Sequence, residues 1–246
     1  MKYLSSTIRY TSKGVPVIEN AAIEKLAERL LCEFNPSLLN AVGEIPIVDI
    51  LKYIKEKDNL VINYDHMESV NNVKILGRIN ISQRLICFDE DLANDNQKRT
   101  IFRFTIAHEI GHWILHSEKP LILDRTQKIL RELVDTENSI MPKKTFITSR
   151  DWVEHHANVF AAALLMPSKL YKQALVNIQY NDLGIRNRLG IIYLDDNDYN
   201  RKDYNNTISQ LSVTFGVSFT SAKIRLETLG LLCDERRKPT HISKYV

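Results

Sequence analysis

The chain has 246 residues, of which 44% are hydrophobic and 26% are charged, and its net charge is +3. These values are ordinary for a globular protein with a real core. They exclude a wholesale nucleic-acid-binding protein but not a local basic patch. The three cysteines are too far apart for a zinc knuckle or a redox pair. Because signal-peptide and membrane-spanning patterns are also missing from the sequence, we expect a cytoplasmic protein without membrane contacts.

The first part of the chain predicts two helices followed by a small sheet. Two helical periods cover residues 18–31 and 48–54. Three β-prone segments follow, at 61–64, 73–81 and 85–88. The last two flank a short polar loop that suits a hairpin, so we expect a small, mostly antiparallel sheet.

The middle of the chain predicts two apolar helices. Asp95 or Asn96 can cap the first helix, which runs to about His116. Its apolar residues cover most of its circumference, which is typical of a buried helix. A polar, partly helical connector covers 117–148, and the second helix runs from about Ser149 to Leu165.

The first apolar helix contains His108, Glu109 and His112 in the pattern H-E-x-x-H. Histidines four residues apart lie on one face of a helix, so both imidazoles can reach one cation. Glu109 can accept a proton from a water whose pKa zinc lowers to near neutrality. Because three polar groups on a buried helix are costly without a purpose, we predict a zinc-dependent metallopeptidase site.

A hydrolytic zinc site needs a third protein ligand and an open position. His116 lies about 12 Å along the helix axis from His108, which is too far to share one ion. The metzincin pattern also fails, because Glu118 stands where that pattern requires a histidine. Glu154, on the second helix, is the better candidate because it lies on a stripe of small residues that permits close helix packing.

Several neighbours of these residues are further candidates. His155 and His156 are rival ligands to Glu154, although they point to other sides of the helix. Asn158, one turn after Glu154, could orient a ligand, and His116 could act in the same way. The sequence leaves three candidates for a donor to the oxyanion: Tyr193, His155 and His116.

Two segments resemble the hallmarks of the ImmA/IrrE metallopeptidases. Residues 104–116 (FTIAHEIGHWILH) resemble the first hallmark and residues 154–167 (EHHANVFAAALLMP) the second. The likeness is clear over about residues 75–167. It implies zinc held by His108, His112 and Glu154, with Glu109 as general base. The chain departs from the family at His156, where Glu or Gln is common, and in its long connector, which leaves loop-borne specificity open.

The elements and the resemblance together predict an α+β fold. We expect a zincin-like helical core with a small, mostly antiparallel β-sheet, followed by a helical C-terminal region. The predicted metallopeptidase domain covers 1–170 and the helical region covers 171–246. The resemblance also implies a substrate class, since the best understood family members cleave a helix-turn-helix repressor of element transfer or of the DNA-damage response.

The helical C-terminal region, interrupted by a polar loop at 195–200, contains a segment that resembles a helix-turn-helix. Gly216 lies in its turn, and Ser218 can cap the second helix. Lys223 and Arg225 would lie on that second helix. Major-groove binding is one hypothesis. The favoured alternative is a helical hairpin that packs on the protease or contacts the repressor substrate.

We therefore expect an intracellular zinc endopeptidase that cleaves a specific regulatory protein, with the substrate bound along the strand at 73–81. Two alternatives stay open: a DNA-binding transcriptional regulator with a structural zinc site, and a non-catalytic partner in a toxin–antitoxin-like pair. Glu109 argues against a purely structural site, which needs no base and is normally closed by a fourth protein ligand.

Overall fold

The computed structural model describes residues 4, 8–69, 74–118, 121–122, 129–130, 132–136, 148–186 and 188–236. The chain divides into two compact units, Met1–Pro167 and Ser168–Val246. Among the described helices, none combines the length and the apolar character that crossing a membrane requires.

Helices form much of the described part of the N-terminal unit. Those in its described part are α1 (Asn20–Phe34), α2 (Ile47–Asp58), α3 (Glu90–Asn94), α4 (Arg99–His116) and α5 (Ser149–Leu165). The predicted cap of α4 is wrong, because Asp95 instead caps a 3-10 turn, Asn96–Lys98, by accepting from Gln97 N at 2.9 Å. α5 begins at the predicted residue, with a capping box formed by Thr148 and Asp151.

The strands of this unit form a mixed sheet and a separate short ribbon. They are β1 (Val61–Asp65), β2 (Ile75–Asn80), β3 (Leu85–Asp89), β4 (Leu121–Ile122), β5 (Ile129–Leu130) and β6 (Glu132–Thr136). The sheet order is β1-β3-β2-β6, and β4 pairs only with β5. Within the sheet β1 is parallel to β3, and the other two pairings are antiparallel. The predicted α+β class, with a mostly antiparallel sheet, is therefore confirmed.

One prediction for this sheet is wrong. β2 is not an exposed strand, because β3 pairs along one edge of it and β6 along the other. Its backbone groups are engaged on both sides, so an extended substrate cannot pair with it as the sequence suggested. The described part of the connector includes the short strands β4 to β6, and most of the predicted partly helical segment lies outside the described residues.

The core of the N-terminal unit surrounds α4. Every residue from Arg103 to His116 is buried, as the even distribution of apolar residues predicts. α4 packs against α2, where Trp113 Nε1 donates a hydrogen bond to Asp58 Oδ2 at 2.6 Å. It also packs against β2 on one side and α5 on another. The H-E-x-x-H segment is thereby held by several elements at once.

The C-terminal unit is mainly helical, with two short strands. It contains α6 (Ser168–Asn177) followed by a π-helical turn (Ile178–Asp182), β7 (Ile192–Leu194), α7 (Asp198–Phe215), α8 (Phe219–Thr228) and β8 (Leu232–Asp234). The sequence did not predict β7 and β8, which pair in parallel. The polar loop is shorter than predicted, since Asn197 already caps α7.

The helix-turn-helix-like segment corresponds to α7 and α8. Gly216 ends α7 in the left-handed conformation at φ 60°, and Ser218 caps α8 by accepting from Ser221 N. Arg225 is only 2% exposed, so it faces the interior of the unit and not solvent. Lys223 is partly exposed and lies 3.9 Å from Glu227 in an ion pair.

Candidate metal centre

Three side chains from two helices converge in the N-terminal unit. His108 and His112 extend from α4 and Glu154 extends from α5. Glu154 Oε2 lies 3.3 Å from His108 Nε2 and 3.6 Å from His112 Nε2. One donor atom from each residue lies within 4.8 Å of the other two, and all three residues are buried. This group could hold a metal ion.

Helix geometry and close packing produce this convergence. The two histidine rings, one turn apart on α4, have centroids 4.6 Å apart. Gly111 lies between them in sequence and faces α5. A Cβ at Gly111 would lie 3.2 Å from both the Cα and the carbonyl oxygen of Ala157. The missing side chain therefore lets α5 approach closely enough for Glu154 to reach the histidines.

Hydrogen bonds behind the two histidines orient their rings. Asn158 Oδ1 accepts from His108 Nδ1 at 2.9 Å, from one turn beyond Glu154 on α5. His112 Nδ1 lies 3.2 Å from His116 Nδ1. In both ligand candidates the Nδ1 atom is thus engaged and Nε2 faces the centre, an arrangement common to histidines that bind metals.

Glu109 is fully buried on the side of α4 that faces β2. A Cβ on Gly77 would lie 2.6 Å from Glu109 Oε1, closer than real Cβ atoms come to other atoms. Glycine at this position therefore leaves room for the carboxylate of the candidate base. The sequence analysis missed Gly77, although a glycine inside a strand is a recognised sign of close approach by another group.

A row of histidines continues from the centre into the unit. His116 stacks on His156 with ring centroids 5.8 Å apart. Burial, and then the neighbouring His112, His156 and His108, hold the pKa of His116 well below its ordinary value. Burial followed by His155 and His112 lowers the pKa of His156 to about 4. Both rings are therefore neutral at physiological pH.

The remaining candidates do not belong to this donor group. His155 Nε2 lies 3.0 Å from Asn20 Oδ1, and neither His155 nor His156 belongs to the described donor group. Tyr193 is part of β7 in the C-terminal unit, with the Arg188 guanidinium 4.7 Å from its ring centre. Its role as an oxyanion donor stays a prediction.

Arg150 is a second residue that the sequence analysis missed. Its Nε lies 3.8 Å from Glu154 Oε1, one turn earlier on α5, and its side chain is 48% exposed. The four-residue spacing of an arginine and a glutamate on a predicted helix was the available signal. Arg150 places a positive charge beside the third donor on the solvent side.

The chemistry of the donor set fits a hydrolytic zinc site. Two neutral imidazoles and one carboxylate neutralise only part of a divalent charge, and two histidines with one glutamate form a recurrent catalytic zinc set. Such sites keep one position open, whereas structural sites use four protein ligands. Within the described ranges, His108, His112 and Glu154 form the one group of three that meets the spacing for a metal.

Comparisons with known proteins identify the family. A peptidase family model described as the IrrE N-terminal-like domain matches residues 92–227, which is more than half of the chain. The chain therefore belongs to the ImmA/IrrE family, as the two hallmark segments predicted. This membership indicates a metallopeptidase, and together with the donor group it is compatible with a metal cofactor.

One solved structure is distantly similar to this chain. No curated protein sequence matches the chain. A solved structure titled "Mycobacterium tuberculosis transcriptional regulator" is similar over 84% of this chain, with 14% sequence identity and a TM-score of 0.45. The chain spans 55% of the length of that protein's chain.

Proposed function

We propose that this protein is an intracellular zinc-dependent endopeptidase that cleaves a specific regulatory protein. The observation that carries the proposal is the convergence of His108 Nε2, His112 Nε2 and Glu154 Oε2, with the carboxylate of Glu109 buried on the same helix. Membership of a peptidase family supports the same reaction class.

Each residue has a defined task in this reaction. Zinc bound by this set would polarise a peptide carbonyl and lower the pKa of water towards neutrality. Glu109 would accept the proton of the attacking water and pass it to the leaving amine. Asn158 would hold the ring of His108 in orientation through the bond to Nδ1. Arg150, beside Glu154 and half exposed, would attract the carbonyl oxygen or an acidic substrate residue at the rim.

The proposed substrate is a helix-turn-helix repressor of a mobile element or of a stress response. This proposal rests on the resemblance of the two hallmark segments to proteases that cleave such repressors. A co-expression experiment tests it. The chain is expressed with the repressors encoded next to its gene, and the cells are examined for a repressor fragment.

Substitutions in the donor group and at Glu109 distinguish loss of catalysis from loss of bound zinc. Glu109→Gln should abolish the fragment and keep bound zinc, because the glutamine cannot accept the proton. His108→Ala and Glu154→Ala should lose both the fragment and the zinc. Glu90→Gln, an exposed position on α3, is the matched control and should cleave normally. Cleavage that persists in Glu109→Gln would show that the proposed mechanism is wrong.

The alternative of a DNA-binding regulator has less support. Of the two basic residues predicted for DNA contact, Arg225 is buried and Lys223 pairs with Glu227. The described part of α8 therefore presents little positive charge for phosphate contacts. Salt-dependent DNA binding that survives Glu109→Gln and is lost in Lys223→Ala would favour this alternative over proteolysis.

The third possibility is a non-catalytic partner in a toxin–antitoxin-like pair. Such a partner would form a stable complex with the neighbouring gene product without cutting it. The same co-expression experiment separates the two, because a purified complex of intact chains in both wild type and Glu109→Gln would contradict proteolysis.

A further inference from the structure

The two histidines of the centre are supported from behind by different kinds of group. His108 Nδ1 faces the amide oxygen Oδ1 of Asn158, which only accepts hydrogen bonds. His112 Nδ1 faces another imidazole nitrogen, Nδ1 of His116, at 3.2 Å. The proton of His108 must therefore lie on Nδ1, whereas the contact behind His112 permits two arrangements.

A bond between two imidazole Nδ1 atoms contains one proton, which belongs to one ring or to the other. If His116 donates it, the proton of neutral His112 lies on Nε2, directed towards Glu154 Oε2, 3.6 Å away. That tautomer has no lone pair for a metal at the centre. If His112 donates instead, its Nε2 lone pair faces the centre and the proton of His116 lies on Nε2.

The surroundings of His116 keep its ring in place for this contact. It lies one turn after His112 on α4 and is 2% exposed. Its ring is stacked on His156 with an angle of 17° between the ring planes. His156 comes from α5, so the position of His116 is set by both helices that build the centre.

We propose that His116 is a positioning residue for metal binding: its Nδ1 accepts the proton of His112 and holds His112 in the tautomer whose Nε2 can bind a metal ion. The proposal rests on the proposed function only in placing a metal at Nε2, and it does not depend on proteolysis. His116 lies too far from His108 to share a metal ion with it, and the proposal gives His116 the separate role of orienting His112.

Zinc affinity of the purified, metal-stripped full chain tests the role. It is measured by competition with a chromophoric chelator. His116→Phe keeps an aromatic ring on His156 but removes the acceptor, and we expect zinc binding to weaken by about 10- to 100-fold. His116→Asn places an amide oxygen near the position of Nδ1 and should restore affinity to within a few-fold of wild type. His156→Phe, the matched control, should also stay within a few-fold.

Thermal unfolding of the metal-free variants checks that each one folds. Wild-type affinity in His116→Phe would overturn the proposal. An equal loss of affinity in His116→Phe, His116→Asn and His156→Phe would also overturn it, because that pattern indicates a packing role for the ring cluster and no specific acceptor.

A spectroscopic measurement reads the tautomers directly. Long-range ¹H–¹⁵N correlation spectra of the metal-free full chain should show His112 protonated at Nδ1 and His116 protonated at Nε2. The opposite assignment would contradict the proposal. Failure of the proposed function is distinguishable, since a chain that cleaves no repressor still gives these zinc affinities and tautomers, whereas a chain that binds no zinc overturns this proposal as well.

Discussion

Gly77 on β2 and Glu109 on α4 approach each other so closely that a methyl group at residue 77 would lie 2.6 Å from Glu109 Oε1. The same methyl group would lie 3.1 Å from Thr105 Cγ2 and 3.4 Å from Glu109 Cδ. The nearest obstacle is the end of a flexible side chain, so an added methyl group would displace the carboxylate and leave the backbone in place. The sheet thus determines where the candidate base stands relative to the donor group.

Gly77→Ala should lower kcat for repressor cleavage by about 10- to 100-fold, because small displacements of a catalytic group are costly. Zinc stoichiometry should stay at the wild-type value, since no donor residue is touched. Gly43→Ala is the control, because a Cβ there meets no atom within 4 Å. Unchanged kcat in Gly77→Ala, with folding intact, would show that the position of Glu109 is not set by this contact.

Gly111→Ala should disturb the packing of α4 against α5. An added Cβ would meet the backbone of Ala157 at 3.2 Å, and a backbone cannot yield as a side chain tip does. Overpacking of this kind costs about 1–3 kcal/mol, partly offset by the higher helix propensity of alanine. Because α5 must move away with Glu154, zinc affinity should fall as well. Urea unfolding and chelator competition measure the two effects, and retention of both wild-type values would contradict the packing argument.

Zinc binding should raise the free energy of unfolding, and the increase should grow with the free zinc concentration relative to Kd. At a free zinc concentration of about 100 times Kd, linkage predicts roughly 2.7 kcal/mol of added stability. Thermal unfolding in zinc–chelator buffers should therefore show a Tm that rises with zinc and returns after the metal is removed. Glu154→Gln should lose most of this rise, whereas Glu109→Gln should keep it. An equal rise of Tm in both variants would show that the stabilising zinc ion binds somewhere other than the proposed donor group.

Asp89 should make the stability of the N-terminal unit depend on pH. Burial raises the pKa of its carboxyl, but Lys74 at 2.9 Å and the backbone N–H groups of Leu92 and Met67 outweigh burial and lower it below 3.8. A lowered folded-state pKa gives stability that is fully present above 3.8 and is lost as the pH falls through the folded value.

Asp89→Asn should therefore cost about 1–3 kcal/mol at neutral pH, and the difference from wild type should shrink in acid. Urea unfolding at a series of pH values down to below 3.8 measures this. Asp49→Asn, at an exposed position on α2, is the control and should stay close to wild type. A pH-independent difference between Asp89→Asn and wild type would show that the ion pair is not its source.

The sequence by itself determined the local part of the candidate site. The spacing of His108 and His112 places both on one helix face because the helix repeat is fixed by backbone geometry. The limits of α5, the β2–β3 hairpin and the capped start of α8 also follow from patterns within a few residues. The small-residue stripe favoured Glu154 over two rival histidines, and the resemblance added the family and implied the same third ligand.

Only the tertiary structure decided which distant groups meet. The approach of Gly77 to Glu109, the parallel pairing of β1 with β3 and the burial of Arg225 depend on contacts between segments far apart in the chain. The hydrophobic periodicity of a sequence indicates which face of a helix or strand is buried, but it does not indicate which other segment packs against that face. For this reason the H-E-x-x-H pattern, Glu154 and His116 could be named as candidates from the sequence, whereas the meeting of their side chains and the approach of Gly77 to the base required the packed helices and sheet.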